Sequence, residues 1–232
     1  MDSRPNFATT RWSLVLQVDS TDGAKAALEE LCKSYWQPIH AFVLQRGFDQ
    51  VTAEDVTQSF FHHLLEHDTL LRADADRGRF RTFLLTSLKH FLADWKREQS
   101  ALKRGGHLEF IKFDETDRSE LSSTDGNDAV KHYERQWAAS IVRRSLAQLE
   151  AEFARAGKSH RFALLKDYLL INPPEALYSR LAQELKLTES TLRSSMQRLR
   201  LRFRHVFRAE VAETVSSEEE IDAEIRHLLA AL

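Results

Sequence analysis

Phe80-Arg81-Thr82-Phe83-Leu84-Leu85-Thr86-Ser87-Leu88-Lys89-His90-Phe91-Leu92-Ala93-Asp94-Trp95-Lys96-Arg97 is the stretch that decides the fold. Phe80, Phe83, Leu84, Leu88, Phe91, Leu92 and Trp95 recur at three- and four-residue steps, the spacing that lines one face of an α-helix. A helix from Arg79 to Arg97 with that much aromatic surface needs partners to cover it. Two lie upstream. Ala24 to Leu44 repeats the pattern through Ala27, Leu28, Leu31, Cys32, Tyr35, Trp36 and Ile39, with Pro38 expected to kink or break it. A further helix is expected from Thr52, a residue suited to an N-cap, with Ala53, Val56, Phe60, Phe61, Leu64 and Leu65 inward and Glu54 and Asp55 in its first turn. Three such helices close one small core.

Composition agrees with an all-α chain. Seven Gly and four Pro in 232 residues are too few for a turn-rich sandwich or barrel, and Leu, Ala, Glu, Arg and Gln favour helix. No run approaches the ~18 apolar residues of a membrane span. Met1-Asp2-Ser3-Arg4-Pro5 lacks the apolar core of a signal peptide, so a cytoplasmic location and no membrane partner are expected. The single cysteine, Cys32, excludes an internal disulfide and a multi-cysteine metal site, and its place on an apolar face reads as a small core residue.

The formal net charge of −2 argues at first against nucleic acid. That total averages segments of opposite sign: 72–104 carries +5 and 180–208 carries +6, balanced by acidic runs at 114–128 and 210–224. Charge sorted in this way is the electrostatic footprint of a DNA-binding chain.

Downstream of the opening helix, Gly105-Gly106 stops the pattern, and Glu115 to Asp128 is acidic with few large apolar residues, the composition of a flexible linker. Helical periodicity resumes from about Ala129 to Ala156 and from Ser159 to about Ile171. Asn172-Pro173-Pro174 breaks it. Tyr178 to Phe203 then has the layout of a helix-turn-helix: a short helix with Leu181 and Ala182 inward, a tight turn with Leu187 buried, and a second helix capped by Thr188 with Leu192, Met196, Leu199 and Phe203 inward. Ser190, Thr191, Arg193, Ser194, Gln197 and Arg198 are left outward on the half that enters a major groove in this motif. Arg and Gln read guanine and adenine edges, while Arg200, Arg202 and Arg204 are placed for phosphates. Lys186 stands where such turns often use Gly, so a left-handed conformation there costs about 1 kcal/mol.

Three blocks together resemble a known family. Ala53-Glu54-Asp55-Val56-Thr57-Gln58-Ser59-Phe60-Phe61 resembles the core of region 2 of sigma-70-type RNA polymerase sigma factors. Phe80 to Leu85 with His90 to Arg97 resembles the following part of that region, and Tyr178 to Ala182 with Thr188 to Ser194 resembles region 4. The match spans roughly 27–104 and 138–211 and lacks regions 1 and 3, as in the extracytoplasmic-function (group IV, ECF) type.

This resemblance implies a transcription initiation factor, not an enzyme, with no cofactor and no metal, whose partners are core RNA polymerase, through the β′ clamp coiled coil and the β flap, and promoter DNA. An anti-sigma factor or other regulator is a further partner of that kind of protein. Glu54, Asp55, Gln58 and His62 correspond to the polymerase-binding positions; Asp55 and Gln58, three apart, share one helix face. Arg77, Arg79, Arg81, Lys89, His90, Asp94, Trp95 and Arg97 correspond to the minus-ten contacts, where rings stack on unpaired bases and arginines follow the backbone. Ser190, Thr191, Arg193, Ser194, Gln197, Arg198 and Arg200 correspond to the minus-thirty-five contacts. Lys89 and His90 replace the family's usual Arg and Asn, and Ser195 replaces an Arg, so base preference is expected to differ.

The implied organisation is a three- or four-helix bundle over 1–106, a flexible acidic linker over 107–130, a helix-turn-helix domain over 131–211 and an extension over 212–232. In the extension, Ser216 and Ser217 with Glu219 and Glu220 suggest overlapping capping boxes, and Ile221, Ile225, Leu228, Leu229 and Leu232 form an apolar stripe. That helix is expected to pack on its own domain; otherwise its acids mask a basic surface or dock a regulator. Two other readings compete with an initiation factor. One is a free-standing helix-turn-helix regulator of duplex DNA. The other is a zinc hydrolase, because His63-Leu64-Leu65-Glu66-His67 spells an inverted zincin motif, although no third ligand in recognisable context follows.

Overall fold

A computed structural model of the chain describes residues 21–66, 79–103, 124–171, 174–215 and 217–232. Every regular element among them is helical: α1 (Thr21–Gln45), α2 (Gln50–Glu66), α3 (Phe80–Lys103), α4 (Thr124–Arg155), α5 (Ser159–Leu165) with a 3₁₀ turn at Lys166–Tyr168, α6 (Glu175–Glu184), α7 (Glu189–Ala212) and α8 (Ile221–Ala231), the last entered through a 3₁₀ turn at Glu218–Glu220. None of these helices is long and apolar enough to cross a membrane. The chain forms two compact units, one from residues up to Ala138 together with Glu213–Leu232, the other from Ala139–Ala212.

In the first unit, α1, α2 and α3 supply the expected apolar faces. Tyr35, Ile39, Phe42, Val56, Phe60, Phe80, Leu84 and Leu88 are all buried. α1 continues through Pro38, and α2 starts earlier than the sequence suggests. Asp49, not Thr52, is its cap: the Asp49 carboxylate accepts the Thr52 N–H at 3.0 Å and the Thr52 hydroxyl at 2.7 Å. Those hydrogen bonds hold the Asp49 carboxyl below its ordinary range. Cys32 is half-buried, and burial pushes its thiol pKa up, which keeps it protonated.

Residues 124–130 and 131–138, expected in the linker and the second domain, instead begin α4, and the first unit extends through Ala138. The reason is a stripe at i, i+4, i+8: Ala129, Tyr133 and Trp137 are buried. Trp137 stacks on Tyr35 at 4.4 Å between ring centroids, and Tyr133 meets Phe42 edge-on at 6.4 Å. These rings supply the fourth side of the core that three helices leave open.

The extension also belongs to the first unit, not to the helix-turn-helix domain. Val215, Ile221 and Leu228 are buried, and so is the carboxylate of Glu224, at 1% exposure. Glu224 meets Arg81, itself 5% exposed, through Nε–Oε1 at 2.8 Å, and Arg79 through Nε–Oε2 at 2.8 Å. Glu134 of α4 takes Arg81 Nη1 at 2.7 Å and lies 3.2 Å from His227 Nε2. Tyr133 completes the cluster by donating its hydroxyl to the Arg81 carbonyl at 3.1 Å. Burial alone would lower the Arg81 pKa, but the hydrogen bonds and charges of Glu224 and Glu134 outweigh it and raise the value. Ser217 precedes the 3₁₀ turn without a side-chain capping bond, and Ser216, the other serine of the expected boxes, lies outside the described residues.

The second unit is built on Ile141, Leu149, Phe162, Leu165, Leu181, Leu192, Met196, Leu199, Phe203, Val206 and Phe207, all buried. Two of its helices end in the same closure. After α4, Lys158 N–H donates to the Phe153 carbonyl at 2.8 Å across Gly157, which has φ +66°. After α6, Leu187 N–H donates to the Ala182 carbonyl at 2.8 Å across Lys186, which has φ +53°. The left-handed residue is free of steric cost for Gly157 and strained for Lys186.

Two pairs of substitutions test these packing assignments in urea unfolding of the full chain. Lys186→Gly relieves the left-handed strain and stabilises by up to about 1 kcal/mol, whereas Lys186→Ala leaves stability unchanged. Glu224→Ala strands a buried guanidinium and costs about 3–5 kcal/mol, while Glu219→Ala, at an exposed position, stays within about 0.5 kcal/mol of the parent.

Candidate nucleic-acid interface

The left-handed Lys186 ends α6, and Thr188 starts α7 three residues before the first backbone N–H it satisfies: Thr188 Oγ1 accepts from Thr191 N–H at 3.2 Å. With the turn so short, Leu181 and Ala182 of α6 share an interior with Leu192, Met196 and Leu199 of α7, and all five are buried. Leu187 in the turn is half-buried rather than buried. The helical period then leaves Ser190, Thr191, Arg193, Ser194, Gln197 and Arg198 exposed along the first half of α7. This is the arrangement expected of a recognition helix.

The cations on α7 differ in how they are held. Arg193 lies 4.2 Å from the ring centroid of Tyr178 and pairs with Glu175 at the start of α6. Both partners are largely exposed, so this surface pair is weak and leaves Arg193 able to exchange onto a ligand. Arg200 is different. Its Nη2 donates to the carbonyls of Tyr168 at 3.0 Å and Ile171 at 2.6 Å, which gives it a structural task, closing the end of the α5 segment. Arg202 donates to both oxygens of Glu152, at 2.9 and 2.6 Å, and the hydrogen bonds from Arg202 hold the Glu152 carboxyl below its ordinary range. Ser195 is buried; its hydroxyl donates to the Thr191 carbonyl at 2.6 Å and accepts from Arg198 at 3.3 Å and from Arg161 of α5.

In the first unit, Glu54, Asp55, Gln58 and His62 are exposed on α2. Asp55, Gln58 and His62 fall on one face by the helical period, and Glu54 beside them accepts from Gln50 Nε2 at 2.8 Å. Val51, 69% exposed at the head of the same face, was not expected there; an apolar side chain four residues before Asp55, off the inward stripe, is the signal that marks it.

The expected minus-ten residues separate into two groups. Arg77 lies outside the described residues. Arg81 is corrected: it is buried and holds α8 through Glu224, so it does not face solvent, while Arg79 shares Glu224 with it and stays 28% exposed. Arg81 sits three residues before Leu84 and four before Leu85, on the inward stripe of α3, and only the carboxylates of α4 and α8 make that burial tolerable.

The second group lies along α3, with His90, Asp94 and Arg97 on one face by the helical period and Trp95 on another. Lys89, His90, Asp94 and Trp95 are half-buried, Arg97 is exposed and pairs with Asp94. Trp95 meets Phe48 edge-on at 5.3 Å, and Lys96 Nζ lies 5.5 Å from the same ring centroid. Phe48, in the short connection between α1 and α2, therefore fixes the Trp95 ring. Burial lowers the Lys89 pKa and the positive charge of Arg46 lowers it further, so Arg46 adds a cation that linear spacing did not reveal. Burial lowers the His90 pKa too; Asp94 opposes the shift and Lys89 adds to it.

His63 faces the Phe91 ring at 5.3 Å between centroids, and His67 of the inverted zincin pattern lies outside the described residues. The chain has no match among protein-family models, curated proteins or solved structures.

His90 supplies a pH test. With its folded-state pKa below the ordinary imidazole value, the folded chain binds a proton less readily than the unfolded one. Stability is then unaffected by His90 above about pH 6.5 and declines as pH falls from there toward the folded-state pKa. In NMR titration the His90 imidazole protonates below the ordinary imidazole range, and His90→Gln flattens the acid side of the stability profile.

Proposed function

We propose that the chain is a transcription initiation factor of the sigma-70 type: the first unit binds core RNA polymerase and engages the minus-ten element, and the second reads the minus-thirty-five element. The observation that carries this reading is the recognition helix α7, whose first half presents Ser190, Thr191, Arg193, Ser194, Gln197 and Arg198 to solvent while Leu192, Met196 and Leu199 anchor it. Hydroxyls, amide and guanidinium groups at that density suit base edges and phosphates in a major groove.

The first unit supports the polymerase half of the reading. Val51, Asp55, Gln58 and His62 line one exposed face of α2, with an apolar residue beside acceptors and donors, as a protein-binding strip requires. Lys89, His90, Trp95 and Arg97, with Arg46 near, join cations to a ring held by Phe48, a combination suited to unpaired bases. Arg79 and Arg81 are left out of that surface because α8 takes their charge. The linker, the cytoplasmic location and the anti-sigma partner belong to the same proposal.

Asp55→Ala with Gln58→Ala is expected to weaken binding to core polymerase by at least tenfold in a pull-down or anisotropy assay and to abolish run-off transcription, with helical content unchanged. Polymerase binding unaltered by the pair removes α2 from the interface. A chain that binds duplex DNA but never polymerase is a free-standing regulator instead.

A further inference from the structure

On the α5 flank of α7 in the second unit lies an open cleft of about 260 Å³ with no acidic residue in its lining. Four of the lining residues are cations: Lys158, Arg161, Arg198 and Arg202. Arg202 is neutralised by Glu152. Among the described residues, Arg161 and Arg198 have no such carboxylate. Both guanidinium groups donate to the same neutral acceptor, the Ser195 hydroxyl, which itself donates to the Thr191 carbonyl. Two like charges are thus brought within two hydrogen bonds of each other around a group that cannot balance them, with the Lys158 ammonium on the same wall.

The opposite flank of α7 is arranged differently. There Arg193 has Glu175 and the Tyr178 ring, and Arg200 has two backbone carbonyls. Of the cleft's cations only Arg202 has a carboxylate among the described residues, which leaves Lys158, Arg161 and Arg198 to be matched by a ligand. A guanidinium offers five N–H donors in a planar fork, so the bond to Ser195 leaves each arginine able to grip an anion. Arg198 belongs both to the cleft lining and to the exposed face of α7.

We propose that Lys158, Arg161 and Arg198 form a phosphate clamp that takes a backbone phosphodiester of duplex DNA as α7 enters the groove. The proposal rests on the reading of the second unit as DNA-binding. It adds α5 and the residue before it to the interface, and it assigns Ser195 the role of holding two guanidinium groups in register for one phosphate.

The test uses the full-length chain and a labelled duplex of random sequence, with binding followed by anisotropy across a salt titration. Arg161→Gln and Lys158→Gln are compared with Lys166→Gln, an exposed cation of the following turn that does not line the cleft. Withdrawing one cation from a DNA phosphate flattens the slope of log K against log salt by about 0.9. Both cleft variants are expected to flatten the slope and Lys166→Gln to leave it unchanged; because the cations share one phosphate, the double cleft variant flattens it by no more than the same ~0.9. Inorganic phosphate, against chloride at matched ionic strength, should raise the melting temperature of the parent more than that of Arg161→Gln.

Cleft variants that follow Lys166→Gln, or a parent chain that fails to bind duplex at any salt, overturn the clamp. Phosphate stabilisation without a change in DNA slope also overturns it, because the cleft then serves a small phosphorylated molecule. The initiation reading fails separately: slope changes as expected, with no binding to core polymerase, leave the clamp standing on a free-standing DNA-binding protein.

Discussion

The guanidinium of Arg81 is out of water, and the first unit is organised around matching it. A buried cation is tolerated only with carboxylates in hydrogen-bonding geometry, because desolvation otherwise exceeds what apolar packing around it returns. Glu134 comes from α4 and Glu224 from α8, a segment 143 residues away in the chain. Both helices are thereby tied to the start of α3. The same contacts bring Tyr133 and Trp137 against α1, where they close the aromatic core over Tyr35 and Phe42. One ion-pair cluster therefore explains why the unit draws on the first part of α4 and on the C-terminal helix.

A different electrostatic logic runs through the second unit. Its cations fall into those paired within the fold, such as Arg144 with Glu210 at 2.9 Å and Arg202 with Glu152, and those facing outward or into the α5 cleft without a carboxylate. Pairing at helix flanks holds the unit together, and the cations without a carboxylate among the described residues are left at the surface. Net charge per segment, +6 over 180–208, does not make that distinction, because it counts Arg200 and Arg202 equally with Arg198.

Most helices were legible because apolar residues at the helical period mark both the element and its inward face. The faces of α2, α3 and α7 follow directly from the spacing of Phe60 and Leu64, of Leu84 and Leu88, and of Leu192 and Met196. The turn at Lys186 was legible as well, since a short connection between two such faces requires a left-handed residue. The site was legible less evenly. The exposed half of α7 and the strip on α2 follow from periodicity. Arg46 and Phe48 do not, because they sit in a connection and act on Lys89 and Trp95 across space.

Two charged residues show where pattern reading stops. Arg81 and Glu224 each lie on an apolar stripe, Glu224 three residues after Ile221 and four before Leu228, which is a local signal that each is buried. Local pattern says that such a charge needs a partner and is silent on which one, since pairing depends on how helices distant in sequence meet. The amino-acid sequence by itself determined an all-helical chain, the inward faces of α2, α3 and α7 and the helix-turn-helix layout, because these depend on contacts a few residues apart, whereas Leu229 and Leu232 of the stripe expected in α8 are exposed. Only the tertiary structure decided that the C-terminal helix belongs to the first unit, that Arg79 and Arg81 are spent on Glu224, and which arginines of α7 remain unmatched. The physical reason is that desolvation and ion pairing are properties of neighbours in space.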